Sequence, residues 1–311
     1  MSYLEYWTLD LEPRTLNIEH RTSNPEHISV VIPTFNRATL ITRALDSVLA
    51  QSRQADEIVV VDDGSTDNTA DLIHNYYSQV TLLSQENQGV STARNLGIRH
   101  AKCEWIALLD SDDEWQPEKL EKQLVLLADN PDYRICHTNE TWIRHDVRVN
   151  QMKKHRKYGG YIFPYCLPLC VISPSSVVIH RSVFDQIGLF DESLPACEDY
   201  DLWLRICARF PVLYIEDELI TKHGGHEDQL SKKHWGMDRF RILALEKVIS
   251  DPLLDKSNRN AAIDMMLDKI SIYLSGAKKY ANTELVTRFE QLRDQYTQQK
   301  NDHISRVVPA Q

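Results

Sequence analysis

The sequence predicts an α/β fold: a mainly parallel sheet flanked by helices, with a helical C-terminal appendage. Three observations predict it. Short β-branched apolar runs alternate with stretches of helical period from Ile28 onward, acidic clusters close two of those runs, and beyond Trp235 the pattern is helical almost throughout. Strands alternating with helices build βαβ units, whose sheets are buried on both faces and so read as continuous apolar runs.

Met1 to Glu26 mixes aromatics, charges and the turn-forming Ser23-Asn24-Pro25 without a sustained period, so residues 1–27 are read as an extension ahead of the main domain. Ile28 to Ile32 is the first strand and Leu40 to Gln51 the first helix, with Leu40, Ala44, Leu45, Val48 and Leu49 as its apolar positions. The unit recurs as strand Glu57 to Val61, helix Asn68 to Tyr77, strand Val80 to Leu83, helix Val90 to Ala101 and strand Glu104 to Leu109. Pro117 suits an early helix position, so Glu118 to Ala128 is helical and Tyr133 to Trp142 the next strand. The alternation then breaks. Arg144 to Pro174 begins basic, with Lys153, Lys154, Arg156 and Lys157, and becomes rich in aromatics, Pro and Cys, as suits a mobile or acceptor-facing loop region. The basic run reads first as a solvated loop and second as a contact for anionic lipid or a phosphorylated acceptor. Strand Ser176 to Ile179 and helices Arg181 to Ile187 and Glu198 to Arg209 follow, with a second, antiparallel sheet layer expected around them. Met237 to Ile249, Arg259 to Tyr280 and Glu284 to Gln298 form the appendage, which divides the chain into residues 28–234 and 235–311.

Composition excludes several classes. A chain of 311 residues buries a core without help from disulfides or metal. With 42% hydrophobic and 26% charged residues it is not disordered, and with 10 Gly and 12 Pro it is neither collagen-like nor a linker. A formal charge of -10 repels a phosphate backbone, so no nucleic-acid partner is expected. Six irregularly spaced cysteines, no N-terminal apolar signal region and no apolar run of spanning length point to a reducing, cytoplasmic location. Peripheral contact with the inner face of a membrane stays open, because it needs only a surface patch.

Asp62-Asp63-Gly64-Ser65-Thr66-Asp67 follows Val59-Val60-Val61, and Asp110-Ser111-Asp112-Asp113 follows Ile106-Ala107-Leu108-Leu109. Strand ends are where doubly wound sheets hold ligands. Carboxylates there accept hydrogen bonds from a base or ribose, and an Asp-x-Asp spacing offers hard oxygen ligands to a divalent cation. Turn chemistry accounts for either cluster alone; two at successive strand ends favour a site. Neither Gly-x-Gly-x-x-Gly nor a P-loop is present, so backbone cradling of phosphates is not the mode used. A nucleoside diphosphate on so acidic a chain needs its charge neutralised, and a cation held by Asp112 would do so. Cys166 and Cys170 lack a second pair at zinc-ribbon spacing and read as buried thiols, and Trp203 reads as core.

Ile28-Ser29-Val30-Val31-Ile32-Pro33-Thr34-Phe35-Asn36-Arg37, the Asp62 to Asp67 and Asp110 to Asp113 clusters, Asn87-Gln88-Gly89-Val90-Ser91-Thr92-Ala93-Arg94-Asn95 and Glu198-Asp199 together resemble the ordered motifs of family 2 glycosyltransferases with the GT-A, Rossmann-like fold. The resemblance covers Ile28 to Leu230. It implies an inverting transfer of a sugar from a nucleoside diphosphate, a UDP-sugar first, to a hydroxyl of a saccharide or lipid-linked acceptor in polysaccharide or glycolipid assembly. It also implies the residue roles. Pro33, Thr34 and Phe35 line the nucleoside site, Asp63 binds the base with Asp62 supporting the loop, and Arg94 supplies positive charge near the nucleotide. Asp110, Ser111 and Asp112 form the donor element, with Asp112 binding Mg²⁺ or Mn²⁺. Asp199 is the base and Glu198 orients it. In the flexible-looking His223-Gly224-Gly225-His226 stretch, His226 is the first candidate to approach the metal and His223 the second. The rivals are a sugar nucleotidyltransferase, disfavoured by the lack of a Gly-rich basic loop after the first strand, and a non-catalytic sugar-nucleotide sensor or scaffold, which would not need the Glu-Asp pair.

Overall fold

The computed structural model describes residues 27–225, 234, 236–277 and 283–307. The extension at residues 1–26 therefore lies outside the described residues. The first half of the fold is three strand–helix pairs and a fourth strand: β1 Ile28–Thr34, α1 Ile41–Leu49, β2 Glu57–Asp62, α2 Thr69–Tyr76, β3 Thr81–Ser84, α3 Val90–His100 and β4 Trp105–Leu108. β5 Glu114–Trp115, α4 Lys119–Asp129, β6 Ile135–Arg144, β7 Val147–Val149, α5 Phe163–Cys166, β8 Val178–His180, α6 Arg181–Ile187, α7 Glu198–Cys207 and β9 Leu213–Gly224 complete the sheet and its helices. The C-terminal helices are α8 Asp238–Ile249, α9 Lys256–Ala277 and α10 Thr283–Val307.

One sheet runs β3-β2-β1-β4-β8-β6-β9-β5, with β7 paired to β6. β3, β2, β1 and β4 are parallel to their neighbours, with Thr34 opposite Asp62 and Val31 opposite Leu108. The second half is mixed: β8 is antiparallel to both β4 and β6, while β9 is parallel to β6 and antiparallel to β5. The antiparallel strands thus extend the same sheet, which corrects the expectation of a second layer. Strand β9 departs most from expectation. Its acidic Glu216-Asp217-Glu218 interrupts the apolar pattern, and the sheet accommodates the triplet as an exposed irregularity where Thr138 opposes Ile215 and Asn139 opposes Glu218.

Alternation along the parallel strands builds the core. Val30, Ile32, Val60 and Ala107 point to the face covered by α1 and α4, and Val31, Ile106 and Leu108 to the opposite face. The latter cluster continues without a break through Ile162, Phe163, Cys166, Tyr200 and Trp203 to Phe240, Met266, Ile270 and Phe289, so α8 to α10 share a core with the sheet. Arg144 to Pro174 is accordingly not a loose loop throughout. Its C-terminal half buries Ile162, Phe163, Leu167 and Ile172, whereas its basic, N-terminal half is mostly exposed.

Helix α3 is held closest to the sheet by Gly97. A Cβ built there would stand 2.4 Å from Val31 Cγ1 and 3.2 Å from Val61 Cγ2. In an exposed helix Ala would be favoured over Gly by about 1 kcal/mol. Here overpacking reverses the sign, and Gly97→Ala is expected to destabilise the protein by about 1–3 kcal/mol, read as a lowered midpoint in denaturant unfolding; an unchanged or raised midpoint would remove Gly97 as the spacer.

Candidate active site

Because β1, β2 and β4 are parallel, their carboxyl ends share one edge of the sheet, and the loops leaving them are stitched together there. The Asn36 amide Oδ1 accepts from Thr66 N at 2.8 Å, and Ser65 Oγ accepts from Asn36 N at 2.8 Å. Asp62 ties the turn itself, accepting from Ser65 N at 3.1 Å and from the Ser65 hydroxyl. Gly64 has φ +78°, and a Cβ there would lie 2.8 Å from Asn87 N, so the Asp-Asp-Gly turn admits only glycine without strain. Asp63 reaches across to the loop before α3: its carboxylate accepts from Gln85 Nε2 at 2.6 Å, Gln88 N at 2.9 Å and Gly89 N at 2.8 Å.

These loops open onto a cavity of about 750 Å³. Pro33, Thr34, Phe35, Asp63, Arg94, Asp110, Ser111, Asp112 and Asp199 all line it, while Asp62 is buried beneath the loop. His226 lies outside the described residues. His223 also lines the cavity, but its Nε2 stands 3.3 Å from Glu114 Oε2 and its backbone N–H donates to Asp113 at 3.2 Å. Burial and the Arg43 charge lower the His223 pKa.

Arg94 joins the donor edge of the sheet to α7. Its guanidinium, 5% exposed, donates to Asp110 Oδ1 at 2.6 Å and to Glu198 Oε1 at 2.7 Å and lies over the Phe190 ring. Against burial, the two carboxylates raise the Arg94 pKa. Burial is likewise opposed at Asp110, where Arg94 and Lys222 hold the pKa below the usual range. At Glu198, burial and the neighbouring Asp199 charge outweigh Arg94 and raise it.

Three of the site's partners escaped the sequence. Lys222 lines the cavity with its Nζ 3.3 Å from Ser173 Oγ, and the carboxylates of Asp113, Glu140, Asp110 and Asp199 overcome burial to keep it charged. Cys170 is the second: its thiol donates to Asp199 Oδ2 at 3.2 Å, and burial with the Asp199 charge pushes its pKa well up, so it stays a donor. The third is the Glu140–Lys157 ion pair at 3.0 Å, each side chain 3% exposed. Nothing local in the sequence separates Lys157 from its exposed neighbours Lys153 and Lys154.

Six carboxylates of the described residues line the cavity, and five are engaged. Asp63 is held by backbone amides, Asp110 and Glu198 by Arg94, and Asp113 by Ser175 Oγ at 2.6 Å and His223 N. Asp199 accepts from Tyr200 N at 2.7 Å and from the Cys170 thiol at 3.2 Å, which leaves Asp112. No other described residue donates to the Asp112 carboxylate, and burial with the Asp110 charge raises its pKa, a mismatch that a cation relieves. Among the described residues no three His, Cys, Asp or Glu side chains form a closed metal cage. An open site of this kind fits Mg²⁺ or Mn²⁺, which bind through one or two carboxylates and complete their shell with substrate phosphates and water.

The match to known proteins agrees with this architecture. The family model "Glycosyl transferase family 2" matches residues 29–188. The Bacillus subtilis (strain 168) protein that carries the name of a teichuronic acid biosynthesis glycosyltransferase, TuaG, is 39% identical over 216 residues, covering 67% of this chain and 82% of its own. The chain belongs to glycosyl transferase family 2. It spans 35% and 65% of the length of two curated Rickettsia relatives, each 33% identical to it. Among solved structures, S. aureus TarS 1-349 in complex with UDP-GlcNAc superposes with a TM-score of 0.66 at 19% identity, over 88% of this chain and 81% of that one. Mannosyltransferase PcManGT from Pyrobaculum calidifontis, in complex with GDP-Man and Mn²⁺, gives 0.57 at 18% identity, over 86% and 79%. The fold is of the GT-A type.

Two expectations follow from the buried charges. Arg94→Met strands two carboxylates and should cost about 3–5 kcal/mol in denaturant unfolding, with Glu198→Gln in the same chain recovering part of it; a single variant that unfolds at the wild-type midpoint would refute the keystone role of Arg94. At Glu140, burial is overcome chiefly by Lys157, and the pKa falls from 4.5 to about 2. A depressed carboxylate stabilises above its unfolded pKa and loses that contribution as pH falls through the folded one. The stability gap between wild type and Glu140→Gln should thus be full at neutral pH and shrink between pH 4.5 and about 2; a gap independent of pH would exclude the ion pair as its source.

Proposed function

We propose that this chain is an inverting glycosyltransferase that moves a sugar from a nucleoside diphosphate, a UDP-sugar first, to a hydroxyl of a saccharide or lipid-linked acceptor in polysaccharide or glycolipid assembly. The observation that carries the proposal is the meeting in one cavity of two carboxylates: Asp112 after β4, to which no other described residue donates, and Asp199 in the first turn of α7, which accepts from Cys170 and Tyr200 N. Their company supports it. Asp63, the Pro33-Thr34-Phe35 strand end and Lys222 line the same cavity.

The chemistry follows from these positions. Asp199 Oδ1 is fixed by its hydrogen bond from Tyr200 N at 2.7 Å and Oδ2 by Cys170, so the carboxylate is aimed while keeping lone pairs for an acceptor hydroxyl. As the acceptor oxygen attacks the anomeric carbon, its proton passes to Asp199. The bond from that carbon to the diphosphate oxygen breaks, and the electron pair leaves with the diphosphate. One displacement inverts the anomeric centre and needs one base. Asp112 would hold the Mg²⁺ or Mn²⁺ ion, which when bound supplies Lewis-acid stabilisation of the departing diphosphate. Lys222 adds a fixed positive charge against the same developing charge. Arg94, spent on Asp110 and Glu198, acts by holding those two acids in place rather than by meeting the nucleotide directly.

Calorimetric titration with UDP, GDP and dTDP, each with Mn²⁺ and with a chelator, tests the donor site: one nucleotide should bind in a metal-dependent way, and Asp112→Ala should abolish that dependence. Asp199→Asn should keep donor binding while transfer falls by about 10²–10⁴-fold. Metal-supported failure to bind any of the three nucleotides, or full transfer by Asp199→Asn, would overturn the assignment.

A further inference from the structure

The flank beside the cavity mouth differs from the rest of this acidic chain. From residue 144 to residue 165 there are six basic residues and one acid, Asp146, against a whole-chain charge of -10. Lys157 is buried on Glu140 and Arg148 is paired with Glu218, which leaves Arg144, Lys153, Lys154 and Arg156 as exposed cations. Four of the exposed large apolar side chains of the described residues lie in the same segment: Val147 at 64%, Met152 at 58%, Tyr161 at 77% and Tyr165 at 49% exposure.

The segment is held together by its own rings. Trp142 of β6 meets His155 edge to face at 4.9 Å and lies under Arg144, which ties the β6–β7 hairpin to the Lys153–His155 turn. Arg156 lies over Tyr158, which stacks on Tyr165 at 4.0 Å. Gly160 is bridged to Val212, and the buried Lys157–Glu140 pair anchors the whole stretch from below. The hairpin also abuts the site, since Ile143 pairs with the cavity-lining His223.

We infer that this flank docks the protein on an anionic lipid bilayer. Charge complementarity selects an anionic partner, and the interleaved aliphatic and tyrosine side chains select a lipid interface over a soluble polyanion. Such side chains gain by entering the boundary between headgroups and acyl chains, while the cations stay with the headgroups. No described helix is long and apolar enough to cross a membrane, so the contact is a surface one. The inference deepens the transfer reading by placing the acceptor on a lipid surface beside the cavity mouth, but the docking itself does not depend on sugar chemistry.

Vesicle flotation of the full chain tests it, using phosphatidylcholine alone and phosphatidylcholine mixed with phosphatidylglycerol, without nucleotide or acceptor. Binding is expected only to the anionic vesicles and should weaken with salt. Lys153→Gln, Lys154→Gln and Arg156→Gln combined should lower the affinity by about a hundredfold, and Met152→Ser with Tyr161→Ser should also weaken it. None of these residues lines the cavity, so nucleotide binding by each variant serves as the control for folding and for the donor site. Equal binding to neutral vesicles, no binding to either, or wild-type binding by the triple variant would overturn the inference. So would capture by soluble heparin with no affinity for anionic vesicles, which would assign the flank to a polyanionic polymer. Loss of transfer with docking intact would instead count against the transfer reading alone.

Discussion

The site depends on one ion triad. Arg94, on the face of α3 that turns toward the sheet edge, bridges Asp110 after β4 and Glu198 at the head of α7. These three elements come from distant parts of the chain, and the guanidinium fork is the only group type that can hold two carboxylates in a plane at fixed separation. Asp112 follows Asp110 by two residues and Asp199 follows Glu198 directly. Fixing the pair that Arg94 holds therefore fixes the spacing of the pair left for chemistry. The close seat of α3 at Gly97 is part of the same constraint, because it sets how deep Arg94 sits.

Much of this was legible in the sequence, and for identifiable reasons. The parallel half of the sheet announces itself because strands buried on both faces must be apolar at every position, as Val30-Val31-Ile32 and Val59-Val60-Val61 are. Acids placed at the ends of such strands stand out, and so the Asp62-Asp63 and Asp110 to Asp113 clusters could be singled out from the residues themselves, while Pro33, Thr34, Phe35 and Arg94 came with the family resemblance. The mixed half was harder. β9 is broken by Glu216-Asp217-Glu218, which the sheet expels at an irregularity, and β5 and β7 are too short to show a period. Lys222, Cys170 and Lys157 take their roles from neighbours distant in sequence, and no local pattern tells a buried lysine from a solvated one.

The charge balance around the cavity bears on how so acidic a chain could hold the doubly negative leaving group of the proposed transfer. Arg94 is buried between Asp110 and Glu198, Lys157 is buried on Glu140, and Lys222 lies near Asp113, Glu140, Asp110 and Asp199, so much of the acid near the cavity has an internal counter-charge. Asp112 and Asp199 are the two acids for which the proposed transfer has a use, one toward a cation and one toward a proton.

The change of strand direction between β4 and β8 has an evolutionary meaning. Most of the side proposed for the donor comes from the parallel half that ends by Asp113, with Lys222 of β9 added, while the groups on the side proposed for the acceptor come from Cys170 and α7, beyond the antiparallel junction. The two sides meet at the cavity, through Arg94 and through Asp113, which accepts from Ser175 Oγ and His223 N. Substitutions that retune one partner can thus accumulate in one stretch of sequence without disturbing the other. A scaffold divided in this way can keep its sugar nucleotide while exploring new acceptors.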